Sequence, residues 1–388
     1  MRAFKTFVLA SCVAAAAVFA GCSGGATPSS GAAAALGTAG AGVNALDGRH
    51  IGKAVVPNGR QIPLRPDRRK SWISPDIPQG NPRLLWISDF STGDVYLFLL
   101  SHVPSAPMKL KAVLTGFNEP QGMCVDGLGN MWITETGSNQ IVKYSRLGQY
   151  LATLNDPDGG PGGCSVNPVN GDLAVANEYD GAGPGELLVF PAATGTPVVY
   201  TNPDMYQYDN PAYDTQGNLF VNGCTGSNGQ CVDQFILSEL PAGQATLATV
   251  NLAGGTINFP GMIQWYPAGN YLAIADQECN GPNNISSCIY PATISGSTAT
   301  LGTEIVLNNS SGSQACDIVQ PTINSISGKR YVAGGDYTTY CGGPPDTAYR
   351  WKFPAAGNPT QYNAGPTGPG SVPPPAFVSP WGAAISTH

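Results

Sequence analysis

Residues 117–154 read FNEPQGMCVDGLGNMWITETGSNQIVKYSRLGQYLATL. Three short apolar runs, at 123–125, 131–134 and 141–144, are separated by Gly, Asp and Asn turn signals, and a fourth closes at 150–154. Four short strands joined by tight turns make an antiparallel sheet too small to bury its own face. Such a unit must stack against copies of itself.

The copies are found by following the second strand: LLWISD at 84–89, NMWITE at 130–135, DLAVAN at 172–177, NLFVNG at 218–223, YLAIAD at 271–276 and RYVAGGD at 330–336. Their spacing is that of propeller blades rather than of helical solenoids. A first strand precedes each of the last five, as GMCVD, GGCSV, NPAYD, PGMIQ and QACDI. The first unit lacks one, and SPWGAAIS at 379–386 mirrors EPQGMCVD at 119–126. The pattern predicts an all-β fold over 81–388: a six-bladed β-propeller of four-stranded antiparallel blades, closed by the C-terminal strand pairing with the N-terminal blade. That pairing removes the last open edge. The abundance of Gly (50) and Pro (34) and the low charged fraction of 11% suit many short strands and turns.

Acidic residues outnumber basic ones, 25 to 18, which argues against a nucleic-acid partner. No Lys or Arg occurs between Arg146 and Lys329. The N-terminus has the form of an export signal, with Arg2 and Lys5 ahead of an apolar core from Phe7 to Ala20. The segment FAGC, ending at Cys22, resembles the lipobox of bacterial lipoproteins, although Phe19 stands where those proteins prefer Leu, Val or Ile. The resemblance implies cleavage after residue 21 and lipidation of Cys22, with a membrane anchor as the consequence; the plainer reading is a secretory signal. Ser23 after the Cys implies, by the same resemblance, the outer membrane of a bacterial envelope. Residues 22–80 then form a tether, Ala/Gly/Ser-rich at first and basic at Arg60, Arg65, Arg68, Arg69 and Lys70.

In an exported chain eight cysteines remain and read as disulfides. Cys224/Cys231 and Cys279/Cys288 lie close together across Gly/Asn-rich loops, leaving Cys124/Cys164 and Cys316/Cys341. A zinc site or a reactive thiol is the rival reading.

The stretch GNMWITETGSNQIVKYSRLGQ at 129–149 resembles the NHL repeat, and RLLWISDFSTGDVYLFLL at 83–100 matches it nearly as well. The blade also resembles the repeats of virginiamycin B lyase and, more distantly, the gluconolactonase/regucalcin group. Those resemblances imply a ligand site in the channel, held in the lactonases by a divalent metal on Glu, Asn and Asp. Glu135, Asn177 and Asp276 are the residues here that suit those parts, whereas His50, His102 and His388 fall away from any second-strand end.

From the residues themselves, the second strands end on Asp89, Glu135, Asn177, Asn222, Asp276 and Asp336. Asp and Asn at such positions also cap the following turn, the bland alternative. Asp156 and Asp158 in DPDGG, with Asn177, Glu178 and Asp180 in NEYDGAG, gather carboxylates in one blade without a basic residue. They either stay solvated or hold a cation such as calcium, for which Asp156, Asp158 and Asp180 are the candidate ligands. Tyr206 and Tyr208 are candidate stacking residues for a glycan or peptide, with core packing as the alternative. Together these features predict a monomeric, non-catalytic binding module for an envelope protein, glycan or cation; a metal-dependent lactonase- or lyase-like enzyme is the second reading.

Overall fold

The computed structural model describes residues 70–79, 83–101, 108–180, 183–227, 230–279, 286–316, 318–326, 328–336, 347–363 and 377–386, with a short hairpin of Ala54–Val56 on Arg60–Ile62. Cys22, most of the expected tether, the three histidines and Cys341 lie outside the described residues, as do the side chains of Asp180 and Cys231. Among the described residues no helix is long and apolar enough to cross a membrane.

The chain is all-β in a propeller arrangement. In the first sheet Pro380–Ser386 pairs with Leu84–Asp89, followed outward by Asp94–Leu99, Lys109–Thr115 and Trp72–Ile73. The second sheet runs Pro120–Val125, Met131–Glu135, Gln140–Tyr144, Tyr150–Asn155. The third runs Pro161–Val166, Leu173–Asp180, Gly183–Phe190, Val198–Tyr200. A large sheet of nine strands contains two antiparallel runs, Gln207–Tyr213 to Ala248–Ala253 and Pro260–Tyr266 to Thr298–Leu301. Their outer strands join in parallel, Asn251 opposite Thr298 and Ala253 opposite Thr300. The last sheet runs Thr322–Ile326, Lys329–Asp336, Thr347–Lys352, Gln361–Asn363.

Period-two alternation explains why these strands are buried on both faces. In Leu84–Asp89, Leu85 and Ile87 pack with Tyr331, Ala333 and Ala348 of the last sheet. Leu84 and Trp86 turn the other way, onto Met123, Ile133 and Val142 of the second. Each sheet is thus the core of its neighbours, which is why no single unit of this sequence is a stable domain. The strand that closes the first sheet arrives from the far end of the chain, with Ala384 opposite Trp86 and Ile385 opposite Leu85.

Two expectations are corrected. QACDI is not the first strand of the last sheet; that strand is Thr322–Ile326. QACDI leads into it instead, where Cys316 N–H donates to Asp336 Oδ2. The segment then passes between neighbours: Val319 O accepts from Met262 N–H and Gln320 O from Ala383 N–H. The first sheet also takes a strand from before Asn81, within the expected tether. Trp72–Ile73 adds a strand to the first sheet, Ile77 is buried, and Lys111 Nζ lies 2.8 Å from Asp76. Single apolar residues among Pro and Ser carry no strand periodicity, so this docking is not legible locally.

Candidate functional site at the channel rim

The polar residues that end the second strands mostly turn back into their own sheet. Asp89 is fully buried and its carboxylate accepts from the backbone N–H groups of Ser91, Thr92, Val378 and Ser379. Asp276 accepts from Asn258, Phe259 and Glu278 N–H. Asn222 Oδ1 accepts from Asn210 N–H. Asn177 Nδ2 donates to Asp156 Oδ1 at 3.1 Å, and that same oxygen takes the N–H groups of Asp158 and Gly159. Glu135, half-buried, holds Ser138 Oγ at 2.7 Å. Asp89, Asp276 and the Asn177–Asp156 pair pin the loops leading into their first strands, because buried backbone N–H groups must be satisfied.

Asp276 as a ligand-binding residue is therefore corrected: its oxygens are committed to backbone donors. Asn177 is buried against Asp156, Glu135 holds Ser138 and Asp276 holds backbone donors, so each of the three residues suited to the lactonase ligand roles has a partner within the protein. Tyr208 is also corrected, being fully buried in the core with its hydroxyl on Asn202. Tyr206 is half-buried beside it. Asp156 is buried and capping, while Asp158 is partly exposed. Among the described residues no three His, Cys, Asp or Glu side chains come together as a metal-ligand set.

What does converge is built by a repeated irregularity. Five first strands carry a β-bulge near their start, between Pro120 and Met123, Pro161 and Gly163, Tyr208 and Asn210, Pro260 and Ile263, and Pro380 and Ala383. A bulge re-aims side chains at the end of a sheet. Here it presents Gln121 and Asp209 at the rim where the second strands end. Gln121 is fully buried and its Nε2 stands 3.5 Å from Glu178 Oε2 across the sheet boundary, while its Oε1 has no partner. Asp209 takes Gln207 Nε2 at 2.6 Å. Glu119 precedes the bulged strand with φ of 54°, a left-handed conformation that L residues rarely hold. Burial, and behind it the nearby Glu178 carboxylate, raises the Glu119 carboxyl above its ordinary value. The rim is thus a set of carboxylates and an amide drawn from separate sheets, buried except for the half-buried Glu119, and none of these residues is basic.

Glycines allow the strands to come this close. A Cβ on Gly122 would stand 2.4 Å from Gly162 O, and one on Gly382 2.2 Å from Gln121 O. Below the pinch the channel opens at the other end into a cavity of about 350 Å³, lined by first-strand residues of every run, among them Val125, Val166, Tyr213, Trp265, Asn324 and Ala384. Asp126 at that lip is held by Lys143 at 2.8 Å.

The disulfides fall as the spacing suggests where they are described. Cys124–Cys164 joins the first strands of the second and third sheets, and Cys279–Cys288 closes a loop. Cys224 and Cys316 are also disulfide-bonded. Of the expected ligand residues, Glu178 alone reaches the rim cluster. Glu119, Gln121 and Asp209 were missed by sequence reasoning. The recurring Pro-x-Gly or Pro-Gly at first-strand starts, PQG, PGG, PGM and PWG, is a signal for Glu119 and Gln121, whereas Asp209 in QYDNPAY carries none.

None of the protein-family models and none of the characterised proteins compared with the chain matches it. Among solved structures, a chain of a nidogen/laminin complex is similar, at 13% identity and a TM-score of 0.54, covering 78% of this chain and 98% of that one. A protein from Bacteroides caccae is similar at 12% identity and a TM-score of 0.48, with 72% and 98% covered. A catalytically inactive virginiamycin B lyase from Staphylococcus aureus, solved with quinupristin, is similar at 12% and 0.45, with 82% and 97% covered. At such identities the likeness to the nidogen/laminin chain concerns the fold alone. That fold, with the strand order above, is the β-propeller.

Proposed function

We propose that this protein is a binding propeller of the cell envelope, with the rim formed by Glu119, Gln121, Glu178 and Asp209 as its ligand face. The large sheet is read as two blades fused at their outer strands, which makes six blades of the NHL-like type. The chain is exported, anchored as a monomer through lipidated Cys22, and held off the membrane by its tether. The observation that carries the reading is Gln121, fully buried with an unpartnered Oε1 while its Nε2 stands 3.5 Å from Glu178 of the next sheet. Carboxylates and an amide oxygen without a basic neighbour suit a ligand that brings positive charge or N–H donors, such as a Lys-rich segment of an envelope protein.

Calorimetric titration of the full chain with oligolysine, with oligoglutamate and a neutral oligosaccharide as controls, tests it. Salt-sensitive binding of oligolysine alone, weakened at least tenfold by Glu178→Gln, is expected; equal binding by wild type and variant overturns the assignment. Release of the chain from membranes by Cys22→Ser tests the anchor. An enzyme is the second reading, favoured by one observation: Glu119, with a raised carboxyl pKa, stands beside Glu178 as general acids and bases do. Turnover of a lactone that is abolished by Glu119→Gln would establish it.

A further inference from the structure

Between the second and third sheets, beside the end of Leu173–Asp180, lie two oxygens that the fold itself does not satisfy. Asp156 and Asn177 are 5% and 0% exposed. Their one mutual bond, Asn177 Nδ2 to Asp156 Oδ1 at 3.1 Å, leaves Asp156 Oδ2 and Asn177 Oδ1 buried without any hydrogen-bond partner. Turning the Asn177 amide over does not help. It would set Oδ1 against Asp156 Oδ1 and break the bond that exists. Each orphaned oxygen sits on the planar group that carries one end of that bond.

A third oxygen donor is placed beside them by sheet register. Glu186 lies directly opposite Asn177 on the adjacent strand. Directly opposed residues project to the same face with Cβ atoms about 5 Å apart. That face is the one turned to the second sheet, since Val175 and Leu188 along the same strands pack with Trp132 and Ile141. Glu186 is 9% exposed. Leaving one buried acceptor oxygen without a partner costs about 1–3 kcal/mol, and more where it is charged.

We propose that a divalent cation of the calcium type is seated between the second and third sheets by Asp156 Oδ2, Asn177 Oδ1 and the Glu186 carboxylate, with water completing its shell. Two carboxylates and an amide carbonyl oxygen form a donor set that a hard, oxygen-seeking cation takes. The seat differs from the open trio of Asp156, Asp158 and Asp180 expected from the sequence, and it is independent of the ligand reading at the rim. The cation would add a cross-link to two sheets already joined by side-chain packing, the Cys124–Cys164 bridge and the hydrogen bonds of Thr134 and Thr136 to Gly162 O and Pro161 O.

The test uses the full chain, dialysed against chelator and then titrated with calcium, read by thermal melting and by terbium luminescence excited through Trp132 in the same interface. Saturating calcium is expected to raise the melting temperature by roughly 5 °C. Terbium emission should appear and be displaced by calcium. Asp156→Asn keeps an acceptor for the Asp158 and Gly159 N–H groups and places an amide donor near Asn177 Oδ1. It should melt no lower than chelated wild type and lose at least tenfold in calcium affinity. Glu186→Gln, which leaves the cap untouched, should also lose calcium affinity and covers the case in which Asp156→Asn fails to fold. Absence of both the melting shift and the emission in wild type overturns the proposal, because a buried water or a proton shared by Asp156 and Asn177 predicts that result. Unchanged calcium affinity in Glu186→Gln overturns it as well.

Discussion

At the scale of single residues, carboxylates of one type serve opposite ends. Asp89 and Asp276 are enclosed by backbone donors and hold loops in place. Glu119 has no such enclosure and sits in a strained backbone conformation beside another carboxylate. Its folded pKa therefore stands above its unfolded one, near the ordinary 4.5. A carboxyl shifted in that direction stabilises the fold below its unfolded pKa, and the contribution is lost as pH rises through the folded value. Denaturant unfolding at pH 4 and pH 7 should therefore show wild type losing roughly 0.5–1 kcal/mol relative to Glu119→Gln on going to neutral pH, solvent screening keeping the difference small. Asp126 runs the other way. Burial raises its carboxyl, but Lys143 and Asn130 outweigh that and hold it low, so its contribution is lost only as pH falls through that lowered value.

At the scale of elements, the first strands do the positioning. Five of them begin with a buried residue and bulge, and in the second sheet this strand meets its neighbour where a side chain has no room. Gly122 has Gly162 O and Gly163 Cα within 2.8 Å of where its Cβ would stand, and both are backbone of the adjoining strand. Gly122→Ala must push those strands apart, at a cost of about 2–3 kcal/mol in guanidinium unfolding. It should also weaken oligolysine binding, because Gln121 is the next residue in the same bulge. Reciprocal bonds such as Gln264 Nε2 to Ile323 O and Ile323 N–H to Gln264 Oε1 tie the strands at the opposite end. Thr134 Oγ1 on Gly162 O and Ser88 Oγ on Gln121 O do the same near the rim.

At the scale of the molecule, closure depends on Pro380–Ser386. Its strand covers Leu84–Asp89, and the Val378 and Ser379 N–H groups fill the Asp89 carboxylate. A chain ending at residue 376 would leave Asp89 buried without those donors and an apolar strand edge open. It should lose cooperative unfolding and self-associate in size-exclusion chromatography, whereas removal of the residues before Trp72 should leave the sheets intact.

Much of this was legible before any coordinates. The second strands repeat as hydrophobic runs bounded by turn residues, so LLWISD and NMWITE announced themselves, and the likeness of SPWGAAIS to EPQGMCVD located the closing strand. The Cys124–Cys164 and Cys279–Cys288 pairs followed from compartment and spacing. The last sheet was misread because QACDI has a strand's pattern but is a lead-in held by Asp336 and by its neighbours' backbone.

By itself, then, the sequence determined the repeating sheets and the way the ends meet, because alternation and turn chemistry act over a few residues. Only the tertiary structure decided which polar groups face the rim and which cap a loop. Asp276 and Glu178 look alike along the chain. What marks Asp276 as a cap is that the Asn258 and Phe259 N–H groups reach its carboxylate, and what brings Glu178 beside Gln121 is how bulged strands of neighbouring sheets come to lie side by side.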